Sequence, residues 1–517
     1  MNSHIISKIS KFVEIEITEN DLNINKLEEK IYKASVKAGE EIFKKSLEEI
    51  NDYIIKEKRD KEVTKVHCHK TGKLSTLVGE VTYRYTQVRE TIKNDVIHYS
   101  PLKRVMDIRP HQQITDGLKL SGVLSSSNVS YRVASENLSH RISHSTIRNS
   151  ALEMGKNIEK QEEEDANKEV KNKLFNGKVS QGFIEADGIH IPKQGGKNKS
   201  MEVKVAICYS GRENRYKTGN SEQKQLSDKV VYGDICKSEE FIEKASEFFN
   251  YFCNLMSVLY VLILGDGAPW IKNFLSVYSR GIYQLDRFHL LRKLRSHFSR
   301  KKDDYEEIKK LIEENRIDEV QVKLKEKQSF FEEKISEYEL KGRLEDRKDE
   351  YQSYKKRINF YRRKIKKVKE LIIYIETNKE GINGINKYKG IFKECDLIIG
   401  SGGIENQVKN TIARRMKGQG KCWKVEGACA MVKILTSLSN GWYSFDDYLN
   451  IFSLNRKPLV MPKKLKEKAV NSKGKREAYR MEQKYKGHIP CNTSSSSPIG
   501  YLKKEFCNVD YPDVLHI

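Results

Sequence analysis

Between residues 180 and 286 short apolar runs alternate with a helix-like segment, and this alternation leaves few architectures open. FIEADGIHI (183–191) and EVKVAICYS (202–210) have the length and residue types of neighbouring strands. EEFIEKASEFFNYFC (239–253) has the three-and-four apolar spacing of an amphipathic helix, and VLYVLILG (258–265) reads as the next strand. PWIKNFLSVY follows as a helix with Pro269 in its first turn, and GIYQLD (281–286) closes the set as a strand. Strand–helix–strand order predicts an α/β layer with some parallel pairing. Val261 to Leu264 are all large and apolar, as in a strand covered on both faces.

That covered strand delivers Gly265-Asp266-Gly267 to its carboxyl end. Asp and Gly are ordinary turn residues, so a turn explains the triplet when it is taken alone. Asp187 repeats the pattern, however: an apolar lead-in, an aspartate, a glycine. On adjacent strands the two carboxylates would reach the same ions. Mg²⁺, with Mn²⁺ able to take its place, needs only a few carboxylates when water and a substrate phosphate complete its shell. Two such ions about 4 Å apart stabilise the entering and leaving oxygens of an in-line phosphoryl displacement. Glu405, in GGIENQVKNTIARRM, supplies a third acid in the first turn of a helix whose Ile404, Val408 and Ile412 can pack inward. A helix-start acid favoured by the macrodipole is the plainer reading of that residue. Lys409, Arg414, Arg415 and Lys417 follow on the same segment and suit phosphate contacts.

The N-terminal region is patterned differently. Leu27, Ile31, Ala34 and Ala38, then Phe43, Leu47, Ile50 and Ile54, form two helical stripes over residues 24–56. LVGEVTYRYTQV (77–88) switches to a period of two and predicts a short hairpin or small sheet. His67-Cys68-His69 just before it lacks a second cluster at zinc spacing, a weak metal signal. SYRVASENLSHRISHSTIRNS (130–150) reads as two short helices capped by Ser130 and by Ser143 or Ser145, with Val133, Ala134, Leu138, Ile142 and Ile147 as their shared core. In a helix-turn-helix, Arg141, His144, Ser145 and Arg148 would then project towards phosphates or bases. A simple helical hairpin fits the same pattern.

Residues 287–380 hold no proline and only Gly342 before their last turns, and they are dense in Lys, Glu and Arg; they predict a small bundle or coiled-coil hairpin. Residues 456–486 carry twelve Lys or Arg against three Glu, and Ser494 to Ser497 lie in a loose tail. Over the whole chain Lys and Arg exceed Asp and Glu by 24, an excess that points to a polyanion such as nucleic acid. No apolar run approaches the ~18 residues a membrane span needs. The start lacks a signal peptide, and nine scattered cysteines show no CxxC pair; both predict a cytoplasmic protein with reduced thiols.

ADGIH, LGDGAPWI, LDRFH and GGIENQVKNTIARRMKGQGKCW together resemble the ISLre-type family of bacterial insertion-sequence transposases, and more broadly Mutator-like DDE transposases. The resemblance is best over residues 180–430. It implies an α/β ribonuclease H-like core, a mixed sheet flanked by helices, interrupted by a large all-helical insertion and preceded by a mainly helical DNA-binding region. The parts would be 1–120, a helical and small β region; 121–175, helix-turn-helix-like; 180–289, first part of the core; 290–380, the insertion; 390–440, second part of the core; and 441–517, a basic C-terminal region. The family pattern puts the acidic triad on Asp187, Asp266 and Glu405, and Asp286 with His289 match an acidic-x-x-His element. The implied activity is Mg²⁺-dependent cleavage at the element's terminal inverted repeats and transfer of the freed 3′-hydroxyl into target double-stranded DNA. A homo-oligomer on DNA would act, with no membrane partner. A nuclease on the same core without strand transfer, or a DNA-binding protein that lost its chemistry, are the rivals.

Overall fold

A computed structural model describes residues 23–59, 63–92, 95–166, 175, 181–196, 199–218, 221–298, 303–344, 347–384 and 402–454. They belong to two compact units, one ending at Ile158 and resuming at Trp442, the other running from Glu159 to Gly441. The basic stretch 456–486, the serine run and residues 395–401 lie outside the described residues.

In the first unit, helix α1 (Ile24–Tyr53) packs on a three-stranded antiparallel sheet of β1 (Thr64–Ser75), β2 (Glu80–Ile92) and β3 (Asp95–Tyr99). The second predicted stripe of α1 is core, and of the first only Ala38 is buried. Leu47 and Ile54 are buried against Val81 and Tyr83, with Phe43 and Ile50 beside them. Ile31 of the first stripe is 45% exposed, because burial along α1 begins only at Ala38. The period of two in β2 holds: Val81 and Tyr83 face that core.

Helices α2 (Asp116–Ser126), α3 (Tyr131–Asn137) and α4 (His144–Ala166) follow. Leu118, Ala134, Ile142 and Ile147 form their shared core, with Leu138 packed against it. Val133 is not in it but 39% exposed: one residue round α3, Ala134 takes the inward place. Ser130 Oγ accepts the Val133 N–H and Ser143 Oγ the Thr146 N–H, so these two serines cap the pair. The connection contains no glycine; Ser139 and His140 turn it with φ of 53° and 56°.

The second unit is a five-stranded mixed sheet in the order β10–β9–β4–β5–β8, formed by β4 (Gln181–Pro192), β5 (Ser200–Tyr209), β8 (Val230–Asp234), β9 (Tyr260–Gly265) and β10 (Gly281–Leu285). A hairpin of β6 (Gly211–Thr218) and β7 (Ser221–Ser227) lies between β5 and β8 in the chain. β4, β5 and β8 pair antiparallel, while β9 and β10 run parallel to β4. Sequence patterning does not reveal β6, β7 or β8. Val261 to Leu264 are buried as expected, each worth about 1.5–3 kcal/mol of transfer free energy. Helices α5 (Ser238–Cys253) and, near the end of the unit, Val425–Asn440 cover the sheet. Tyr232 of β8 meets Phe241 and Phe248 of α5, whereas Gly233 backs onto Val432 and Thr436. Successive strand residues point to opposite faces, so the two helices flank the sheet.

The segment predicted as one helix after Pro269 is two single turns, Pro269–Lys272 and Phe274–Val277. After β10 come α6 (Arg287–His297), α7 (Asp303–Glu313) and the long pair α8 (Ile317–Arg343) and α9 (Lys348–Thr377). The pair is an antiparallel hairpin laced by stacked rings, Tyr338 against Tyr354 and Tyr361. Helix α10 (Gly402–Gln407) continues into a π-helical stretch, Val408–Ala413. No described helix is long and apolar enough to cross a membrane.

Candidate active site

The register of three parallel strands brings the acids together. β4 pairs with β9 up to Glu185 opposite Leu264, and β9 with β10 up to Gly265 opposite Leu285. Two steps further along the first pair Asp187 comes level with Asp266, and one step further along the second Asp266 comes level with Asp286. Three neighbouring strands thus present an aspartate at the same height, at the carboxyl ends of β9 and β10.

Each aspartate is fixed locally. Asp187 Oδ1 accepts the Gly188 N–H at 2.8 Å, and Asp266 Oδ1 accepts the Ala268 N–H at 2.9 Å. The second bond is an Asx turn, so the turn reading of Asp266 is satisfied along with its placement. Gly267 has φ of 95°, and a Cβ there would stand 2.7 Å from the Tyr374 ring; only glycine suits both demands. Tyr374, on α9 of the helical block, donates its hydroxyl to the Asp266 carbonyl at 2.6 Å. Asp286 caps α6 by accepting the Phe288 N–H at 2.9 Å and is itself only 1% exposed.

Helix α10 brings in Glu405. Ile404, Val408 and Ile412 are buried as the spacing predicts. Glu405 Oε1 lies 3.0 Å from His289 Nε2, which is also 3.6 Å from Asp286 Oδ2. With Glu405 ionised, His289 carries its proton on Nε2 and donates it there. His289 therefore links the element after β10 to the helix of the third acid.

Electrostatics couple Asp187 to its neighbours. Burial pushes the Asp187 carboxyl up to about 6; the Asp266 and Glu405 carboxylates add to the rise, while the Gly188 N–H and His289 oppose it. Still, among the described residues no three His, Cys, Asp or Glu side chains stand grouped as a ready-made metal cluster.

The basic residues fare unevenly. Lys409, Arg414 and Lys417 are exposed, but Arg415 is 5% exposed with its guanidinium 4.8 Å from the Trp423 ring, so it serves packing. Trp423 donates Nε1–H to the Met416 carbonyl, and Trp270 stands edge-on to Phe241; both are packing residues. Within the first unit, Arg141 does not project outward. Its guanidinium donates to the carbonyls of Leu138, Thr76 and Leu77, fastening the turn between β1 and β2. Arg148 is half-buried and donates to Asn149, while His144 and Ser145 are exposed. His67, Cys68 and His69 do not converge: they meet the His98 ring, Gln87 and Thr86 respectively.

Residues 17–366 match the uncharacterised protein family UPF0236. The chain belongs to that family. UPF0236 proteins of Caldanaerobacter subterraneus subsp. tengcongensis are similar to it over most of their length. One, whose name joins eleven gene loci, is 26% identical over 427 residues, 82% of this chain and 80% of that protein. A UPF0236 protein of Streptococcus gallolyticus, described as lying in the vanSb 3′ region, is 21% identical over 519 residues, 97% of this chain and 99% of its own.

Two contributors to the site escape sequence reading. Glu185 stands in the lead-in to Asp187, two residues before it and on the same face. Tyr374 lies over a hundred residues from the aspartate whose loop it holds, and nothing local marks it.

Proposed function

We propose that this chain is the DDE transposase of an insertion sequence, built on a ribonuclease H-like core and acting in the cytoplasm on double-stranded DNA. The observation that carries the reading is the alignment of Asp187, Asp266 and Asp286 across three adjacent parallel strands, with His289 holding Glu405 beside them. An antiparallel meander, β4–β5–β8, extended on its other side by two parallel strands, supports the ribonuclease H-like assignment. The excess of 24 basic over acidic residues suits a polyanionic substrate. A relative named for eleven loci of one genome also supports it, since copies accumulate when an element moves itself.

The donor set fits a hard divalent cation in kind. All three triad acids offer carboxylate oxygens. The Asp187 carboxyl is raised chiefly by burial, with the Asp266 and Glu405 carboxylates near enough to add to the rise, and a cation would offset that added repulsion. Asp187, Asp266 and Glu405 would hold Mg²⁺ or Mn²⁺. Once bound, such ions stabilise charge on the entering and leaving oxygens of phosphoryl transfer. The chain itself does the positioning. Asp266 is held by its own turn and by Tyr374, Gly267 lets the Tyr374 ring pack against that turn, and His289 orients Glu405. Exposed Lys409, Arg414 and Lys417 would meet DNA phosphates, with the helix-turn-helix-like segment reading terminal repeats and a homo-oligomer pairing the two ends.

End cleavage is the test. The purified chain, given Mg²⁺ and labelled duplexes carrying the DNA that flanks its coding region, should nick at one fixed position on each side. Absence of cleavage on every flanking duplex would refute the reading.

A further inference from the structure

We infer that Glu185 is a positioning residue that ties the helix of Glu405 to the strand of Asp187; this rests on the site proposed above. Glu185 is wholly buried on β4, two residues before Asp187 and on the same face. A carboxylate survives such burial only if its oxygens are satisfied by donors. Tyr209 donates its hydroxyl to Oε1 at 2.6 Å, and Arg212 donates Nη2–H to the same oxygen at 3.2 Å. The other oxygen, Oε2, accepts the backbone N–H of Ile404 at 2.8 Å.

That last bond gives the residue its role. N–H groups in a helix's first turn have no partner within the helix, and a side chain just before the helix ordinarily takes one. Here the acceptor comes instead from the strand of the first acid, from a residue 219 positions away. Ile404 is the immediate neighbour of Glu405, so a single carboxylate connects two triad acids through rigid backbone on both sides. Gly403 makes the approach possible: a Cβ there would lie 3.1 Å from Glu185 Oε2 and from Leu226 Cδ1. Burial pushes the Glu185 carboxyl up, and the Tyr209, Ile404 and Arg212 donors pull it back.

Glutamine cannot replace this carboxylate. With its oxygen towards Arg212 and Tyr209, its NH₂ confronts the Ile404 N–H. With its oxygen towards Ile404, the NH₂ confronts the guanidinium. Attraction to Arg212 favours the first arrangement, which pushes α10 and Glu405 away from β4.

The experiment titrates Mn²⁺ into the full-length protein, followed by its EPR signal, with nicking measured in parallel. Glu185→Gln should stay folded by circular dichroism and weaken Mn²⁺ about ten-fold, the loss expected for one hydrogen bond to a charged group. Parental Mn²⁺ affinity in folded Glu185→Gln would overturn the assignment. Should Glu185→Gln fail to fold, Tyr209→Phe, which deletes one hydroxyl, should weaken Mn²⁺ about five-fold, and an unchanged affinity there would overturn it equally. Asp187→Asn separates the two levels. Mn²⁺ binding that needs Asp187 but not Glu185 sinks only this inference, whereas binding indifferent to Asp187 sinks the site itself.

Discussion

Asp187→Asn should stabilise the folded protein at neutral pH while removing its activity. The Asp187 carboxyl is pushed up to about 6 from an ordinary 3.8, chiefly by burial and then by the Asp266 and Glu405 carboxylates. Because the folded value is raised, the stability associated with the protonated form is complete below about pH 4. It is lost as pH rises through 6. A shift of that size corresponds to about 3 kcal/mol, less to the extent that solvent reaches the half-buried group. Asparagine keeps an Oδ1 for the Gly188 N–H and carries no charge to be repelled. The variant should therefore match the parent near pH 4 and exceed it at pH 7.5, with a thermal midpoint raised by about 5 °C. Mg²⁺ should raise the parental midpoint at pH 7.5 and leave the variant's unmoved, since only the parent would bind it. Differential scanning fluorimetry from pH 4 to 8, with and without Mg²⁺, measures all of this. Parallel profiles across the range, or a variant less stable than the parent at pH 7.5, would refute the reasoning.

Three further outcomes are expected. Tyr374→Phe deletes the hydroxyl that holds the Asp266 carbonyl, and should slow nicking about five-fold with DNA binding unchanged by gel shift. Lys433→Ala removes the cation 2.8 Å from the largely covered Glu162 and 3.4 Å from the buried Asp234; urea unfolding should show about 3 kcal/mol of destabilisation. Lys409→Ala should weaken DNA binding alike on terminal-repeat and scrambled duplexes, and lower the slope of log affinity against log salt by about 1.

How much of this was legible in the sequence depended on whether the determining contacts were local. Val261 to Leu264 declared themselves as a strand because burial on both faces leaves a continuous apolar run, and FIEADGIHI did so by its length and residue types. Ile404, Val408 and Ile412 declared the inward face of α10 and its π-helical continuation by spacing alone. β6, β7 and β8 stayed hidden: GRENRYKT and SEQKQLS are polar hairpin strands without an apolar alternation to read. The stripe at Leu27 and Ile31 had helical spacing, but spacing does not say whether a partner covers it. Arg141 shows the same limit, since exposed-looking arginines are equally suited to phosphates and to the carbonyls of a distant turn. The three acids were legible individually, but their level across β4, β9 and β10 is a matter of strand register. Tyr374 changes what the helical insertion is for. Replacing that block by a linker removes a hand on the Asp266 loop as well as a charged surface, so such a variant should lose Mn²⁺ affinity too.

The central claim is that Asp266 belongs to a cation-binding acidic site, beyond its part in an Asx turn. Asp266→Asn preserves the Oδ1 that accepts the Ala268 N–H, so the turn and the buried strand before it should survive. The decisive measurement is Mg²⁺-dependent nicking of a labelled element-end duplex by parent and Asp266→Asn, beside binding of the same duplex in EDTA. Binding should be equal, and nicking by the variant should fall by several orders of magnitude. A folded Asp266→Asn protein that binds and nicks at the parental rate would contradict the account and leave Asp266 a turn residue only.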